Sequence, residues 1–144
     1  MQIRQERSRM SRFRVLSPKN KYYIPKEAYL TAIHYSLQYP LWDAEVQDAR
    51  DTSTAIRYDK DKVQTSPNGD MIYNAATRAI ELSKKIDLIN EVISQRAEGM
   101  DYFIRLGVCY GLTFDQLKER GMPCERDMYY RIRQRYYYEL SYRI

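Results

Sequence analysis

Residues 101–144 read DYFIRLGVCYGLTFDQLKERGMPCERDMYYRIRQRYYYELSYRI. Over residues 101–110 the apolar Phe103, Ile104, Leu106 and Val108 predict a helix, which gives way to Gly111-Leu112 and then Thr113. A threonine hydroxyl there suits an N-cap. Residues 114–120 predict a two-turn helix with Phe114 and Leu117 pointing one way, closed by Gly121-Met122-Pro123 before Cys124 opens the last helix. A short helix, a tight Gly-containing turn and a longer helix with Arg near its start are the parts of a helix-turn-helix, whose second helix enters the major groove. Wound at about 3.6 residues per turn, residues 125–143 bring Met128, Tyr129, Ile132, Tyr136 and Leu140 onto one inward face.

The opposite face of that last helix carries Arg126, Asp127, Tyr130, Arg131, Arg133, Gln134 and Tyr138. Arg pairs bidentately with guanine, Gln pairs with adenine, and Tyr donates to phosphate or stacks on a base. We therefore expect Arg126, Tyr130, Arg131 and Gln134 at base edges. Arg133, together with Lys118 and Arg120 on the preceding short helix, falls to the phosphates. The competing reading is a solvated terminal helix whose arginines pair with acidic neighbours such as Asp127 and Glu139.

Moving toward the N-terminus, residues 70–96 contain neither Pro nor Gly and predict the longest helix, with Asp70 as its cap and Gly99 as its stop. Ala75, Ala79, Leu82, Ile86, Ile89 and Ile93 recur at spacings of a heptad seam, widened by Ile72, Ile80, Leu88 and Val92. A stripe this broad packs against other helices of the same chain or joins two chains as a homodimer through residues 71–97.

Pro25 marks the start of a helix running to about Gln38, with Ala28, Leu30, Ala32, Ile33, Tyr35 and Leu37 as its apolar stripe. The single histidine, His34, has no ligand cluster around it and reads as surface or packing. Pro40 breaks the pattern, a short helix with Trp42 as a core anchor follows from Leu41 to Ala49, and residues 50–69 read as a long polar connection ending in the turn Pro67-Asn68-Gly69.

Charge is polarised along the chain. Residues 1–21 hold seven basic residues and one acidic, residues 22–117 ten against fourteen, and residues 118–144 seven against four. Basic ends suit a polyanionic partner, because Lys and Arg on phosphates release condensed counterions. Arg4, Arg7, Arg9, Arg12 and Arg14 make the first 21 residues a basic arm. Cys109 and Cys124 lack the further ligands of a metal site and read as free thiols. No apolar run is long enough for a membrane span or secretory signal, so we expect a cytoplasmic protein. With no nucleophile–base pair, phosphate-binding glycine loop or clustered carboxylates, we expect no enzyme and no cofactor.

The blocks Tyr22-Tyr23-Ile24-Pro25-Lys26, Gln38-Tyr39-Pro40 with Trp42, and Gly121-Met122-Pro123-Cys124-Glu125-Arg126-Asp127-Met128-Tyr129-Tyr130 resemble the RinA-like or ArpU-like transcriptional regulators of phages and prophages of Gram-positive bacteria. The resemblance spans roughly residues 20–140. It implies a regulator of late phage genes whose C-terminal part is similar to the promoter-reading domain of sigma factors. Glu125 and Arg131 stand where the resemblance leads one to expect a small and an acidic residue, so base preference does not carry over.

The expectation is thus an all-α protein in three parts: a basic arm over 1–21, a helical support or dimerisation region over 22–100, and a helix-turn-helix over 101–144 that binds double-stranded DNA. The alternatives are a small-terminase-like DNA-packaging protein and a module binding host RNA polymerase or another host factor.

Overall fold

Pro25 lies just outside the first helix as its N-cap (φ −55°, ψ 144°), and α1 (Lys26–Leu37) follows directly. The computed structural model describes residues 15–58 and 68–144, with side chains over 15–52 and 70–144, and among the described residues it is all-α. After α1 come α2 (Tyr39–Tyr58), α3 (Asn68–Arg96), α4 (Asp101–Cys109), α5 (Phe114–Glu119) and α6 (Arg126–Arg143).

The buried face of α1 is Tyr29, Ala32, Ile33 and Ser36. This set keeps strict i, i+3, i+4, i+7 spacing, whereas the expected stripe put Leu37 inside, which is 43% exposed. The rest of the expected stripe holds, with Ala32 and Ile33 buried and Ala28, Leu30 and Tyr35 packed against the core, while Tyr29 and Ser36 escaped it because they carry polar tips.

One expectation in this region holds and one is corrected. The break between α1 and α2 falls at Gln38, with Pro40 in the first turn of α2, where its missing N–H has no intrahelical partner to lose. The helix runs past Ala49 to Tyr58, however, so residues 50–58 of the expected connection are helical. Residues 50–58 contain neither Pro nor Gly, and a polar segment stays helical when it lies along a neighbour. Residues 59–67, including Pro67, lie outside the described residues, and Asn68 and Gly69 already belong to α3.

That neighbour is α3, antiparallel to α2. Tyr39 donates to Asn90 Oδ1 at 3.3 Å, Lys85 Nζ sits 5.1 Å from the Trp42 ring, and Arg78 pairs with Glu45. The heptad seam of α3 is filled by the chain itself from Leu82 through Ile86, Ile89 and Ile93, all buried. The N-terminal turns, with Ala75 still exposed, are not. The helix stops where Glu98 (φ 52°) and Gly99 (φ 84°) turn left-handed, the conformation that glycine adopts without strain.

α6 runs back along α3, held by Arg143–Glu91 at 3.1 Å, Arg96–Glu139 at 2.9 Å and Arg135–Glu98 at 3.7 Å. Its inward face holds Tyr129, Ile132, Tyr136 and Leu140 as expected, with Tyr137 added and Met128 only half-buried. α1 closes over it. Tyr29 meets Tyr137 edge-on at 5.4 Å, and Tyr136 donates to Ser36 Oγ at 2.8 Å while Ser36 donates to the Ala32 carbonyl at 2.9 Å.

This buried relay predicts an asymmetry. Tyr136→Phe leaves Ser36 still bonded to Ala32, so its loss should be about 0.5–1.5 kcal/mol, while Ser36→Ala strands the Tyr136 hydroxyl and should cost about 1–3 kcal/mol. Urea unfolding of the two variants checks the order; equal losses would mean that the hydroxyl finds another acceptor.

Both cysteines are free and buried, and burial pushes the Cys109 thiol up to about 12. No helix among the described residues is long and apolar enough to cross a membrane.

Candidate nucleic-acid interface

The site begins with how α5 is held. Thr113 Oγ1 accepts from the Gln116 N–H at 3.3 Å, and Gln116 Oε1 accepts from the Thr113 N–H at 2.9 Å, a reciprocal capping box that fixes the start of the helix. Phe114 and Leu117 are buried, which leaves Asp115, Gln116, Lys118 and Glu119 on the open side. The Met122 N–H reaches the Leu117 carbonyl at 3.1 Å and Gly121 takes φ 93°, so the chain turns sharply and Glu125 stands at the N-cap position of α6 with no side-chain hydrogen bond to it.

α5 and the first turns of α6 are joined through Phe114, whose ring lies 5.8 Å from that of Tyr129. The Arg126 guanidinium stacks 4.8 Å from the Phe114 centroid, and Lys118 Nζ is 5.9 Å from the same centroid. One aromatic ring thus brings together two cations from different helices. Arg126 also pairs with Asp115 at 3.1 Å, an exposed bridge that pre-orients the guanidinium more than it stabilises the fold.

Of the seven residues expected to meet DNA, Lys118, Arg120, Arg126 and Arg131 are exposed and Tyr130 is half-buried. The remaining two are placed differently. Arg133 folds back over the rings of Tyr130 and Tyr129, 4.5 Å and 5.9 Å from their centroids, and its charge holds the phenols of Tyr29 and Tyr129 lower than burial alone would. Its guanidinium is half-buried against this cluster of phenols and is less open than the other cations of the face. Gln134 Nε2 donates to the Tyr22 carbonyl at 3.0 Å, so in this conformation the amide expected at a base edge is held by the chain's own N-terminal segment.

Tyr22 covers more than Gln134. Its ring lies 5.4 Å from Tyr138 and 5.0 Å from the Arg135 guanidinium, so the segment before α1 lies across the middle and C-terminal turns of the face. What stays open is the N-terminal end of α6: Arg126, Asp127, Tyr130 and Arg131. The sequence offered only the aromatic pair Tyr22-Tyr23 as a sign of this lid-like contact. The arm residues Arg4, Arg7, Arg9, Arg12 and Arg14 lie outside the described residues.

Charge on the open surface is balanced. Exposed Lys118, Arg120, Arg126 and Arg131 are interleaved with exposed Asp115, Glu119, Glu125 and Asp127. Such a surface supplies directional hydrogen bonds and little long-range attraction.

Comparison of the chain with protein-family models, curated proteins and solved structures finds no match. The functional reading therefore rests on the geometry and on the sequence resemblance.

Proposed function

We propose that this protein is a sequence-specific binder of double-stranded DNA that acts in transcription, with α5, the turn and α6 working as a helix-turn-helix. The observation that carries this reading is the open N-terminal end of α6, where Arg126 shares the Phe114 ring with Lys118 of the preceding capped helix and Tyr130 and Arg131 follow about one turn on. In this motif the N-terminal residues of the second helix are the ones that meet base edges. A bacterial cytoplasm and a role in late phage genes follow from the resemblance to RinA-like and ArpU-like regulators.

Arg126 and Arg131 are the base readers, Tyr130 packs against the backbone or a base, and Lys118 and Arg120 hold phosphates. Because the open surface is electrically balanced, most of the non-specific affinity falls to the basic arm, with five arginines and one glutamate over residues 1–14.

Fluorescence anisotropy with labelled duplexes from the protein's own genome, at about 50 and 200 mM salt, tests this. Arg131→Ala should weaken the preferred duplex by about 1–3 kcal/mol and relax preference at one base position. Lys118→Ala should weaken all duplexes alike and lower the salt slope by about one. Gln134→Ala should leave base preference unchanged, since its amide is bonded to Tyr22. Absence of salt-sensitive binding would overturn the proposal.

The balanced charge and the half-exposed Tyr130 favour one second reading, a protein partner such as RNA polymerase on the same surface. Pull-down of polymerase by wild type but not by Arg131→Ala, without any DNA binding, would select it. A small-terminase-like packaging role would instead require a large closed ring in solution.

A further inference from the structure

The heptad seam of α3 that invites pairing in the sequence is occupied within the chain from Leu82 onward. The same helix carries a second stripe about 120° round from that seam. Tyr73, Ala76, Ile80, Ser83 and Asp87 recur at spacings of three, four, three and four, the periodicity that keeps one stripe facing a partner helix. Tyr73 is 72% exposed and Ile80 is 60% exposed, and no other element among the described residues covers them. Two large apolar side chains, one helical repeat apart on a single stripe, are costly to leave in water at these exposures.

The chemistry of the stripe identifies its occupant. Large and small residues alternate along it, Tyr73 then Ala76, Ile80 then Ser83. If a second α3 runs antiparallel with its twofold axis level with residue 78, Ile80 of each copy lies over Ala76 of the other, and Tyr73 lies over Ser83. Every large side chain meets a small one, so the two backbones approach closely and the surface is complementary to itself. In the same register Lys84 of one copy lies two residues from the level of Asp70 in the other. Both are exposed, and neither has an ion-pair partner among the described residues. Twofold symmetry repeats each of these contacts, as an isologous interface requires.

We infer that the protein forms an antiparallel homodimer through the outer stripe of α3, centred on Tyr73, Ala76 and Ile80. The inference does not depend on the proposed DNA reading. Where both hold, the dimer presents two α6 helices related by a twofold axis, which would demand a palindromic pair of half-sites.

Sedimentation equilibrium of the full chain tests it. Wild type should reach about twice the 17.3 kDa chain mass at about 100 µM. Ile80→Glu should remain a monomer there, with its dimer dissociation constant raised at least about a hundredfold and its far-UV circular dichroism unchanged. Leu41→Glu alters an equally exposed apolar residue, 71% accessible, on another helix, and should dimerise as wild type does. A monomeric wild type, a ring of many subunits, an Ile80→Glu variant that still dimerises or a Leu41→Glu variant that does not would each overturn the inference.

Discussion

Raising the pH through about 10 should unfold the protein in a single cooperative step, with tyrosinate absorbance appearing as helix is lost. Burial pushes the phenols of Tyr29, Tyr129, Tyr136 and Tyr137 above their usual value, and raises the Cys109 thiol to about 12. The Arg133 guanidinium pulls Tyr29, Tyr129 and Tyr137 partway back down, but desolvation is the larger effect at each. A group whose folded pKa exceeds its unfolded one contributes its full stability below the unfolded pKa and loses it as pH climbs toward the folded one. For the thiol the loss begins near 8.5 and for the phenols near 10, the ordinary values of about 8.5 and about 10 that the unfolded chain retains.

Within that window a group raised far above its ordinary value, as Cys109, Tyr136 and Tyr137 are, removes about 1.4 kcal/mol per pH unit, so these three together remove about 4 kcal/mol per unit, with Tyr29 and Tyr129 adding in the same direction. A total stability at the lower end of about 5–15 kcal/mol is then exhausted within about one to two pH units above 10. Circular dichroism and tyrosinate absorbance followed on one sample check this. Tyr136→Phe should make the transition shallower by about 1.4 kcal/mol per pH unit. Gradual ionisation of all the tyrosines with helix content intact would show that hydroxide reaches these phenols in the folded protein.

The concentration of phenols in the core explains much of what the sequence did and did not reveal. Periodicity located the last helix and its inward face because Ile132 and Leu140 share a stripe with Tyr129 and Tyr136. It missed Tyr137, and it missed Tyr29 and Ser36 on α1, because a residue with a polar tip counts as interior only once its partner is known. For Tyr29 that partner is the charge of Arg133, and for Ser36 the partners are Ala32 and Tyr136.

The expected interface diverged for the same reason. Winding a helix shows which side chains share a face, and of the residues it grouped at the start of α6 Arg126 and Arg131 are exposed and Tyr130 is half-buried. It could not show that Tyr22, 112 residues away from Gln134, lies across the later turns. Nor could it show that Arg133, at the edge of the stripe, turns inward to serve three tyrosines. Local signals were sufficient where structure is local: the Thr113 cap and the Gly99 stop appear where the residue types placed them. The extension of α2 to Tyr58 depends on α3 as a neighbour, and no local signal in residues 50–58 carries that.

Gly107→Ala should destabilise the protein by about 1–3 kcal/mol, although alanine is about 1 kcal/mol the better residue inside a helix. A Cβ on Gly107 would lie 2.2 Å from the Tyr129 hydroxyl oxygen, 3.3 Å from its Cζ and 3.4 Å from Leu117 Cδ1. The ring has little room to retreat: Tyr129 is 1% exposed, lies 5.8 Å from the Phe114 ring and 5.2 Å from that of Tyr130, and has the Arg133 guanidinium 5.9 Å from its centroid. The glycine is what lets α4 approach the phenol closely enough to set the position of α6.

Removing the oxygen should reverse the sign. Tyr129→Phe alone should cost about 1 kcal/mol, the net worth of a buried hydroxyl beside the Arg133 guanidinium. In that background the new methyl group meets only the ring edge, a contact that small adjustments accommodate, so Gly107→Ala should become neutral or stabilising by up to about 1 kcal/mol. The coupling between the two substitutions should therefore exceed about 1 kcal/mol, well above the few tenths seen for independent sites. Urea unfolding of the four proteins measures it. Additive effects, or a stabilising Gly107→Ala in the native background, would mean that α4 and α6 stand further apart than this contact requires. The docking of α6 would then have to be set by the Phe114–Tyr129 contact, the ion pairs with α3 and the Tyr29–Tyr137 and Ser36–Tyr136 contacts with α1.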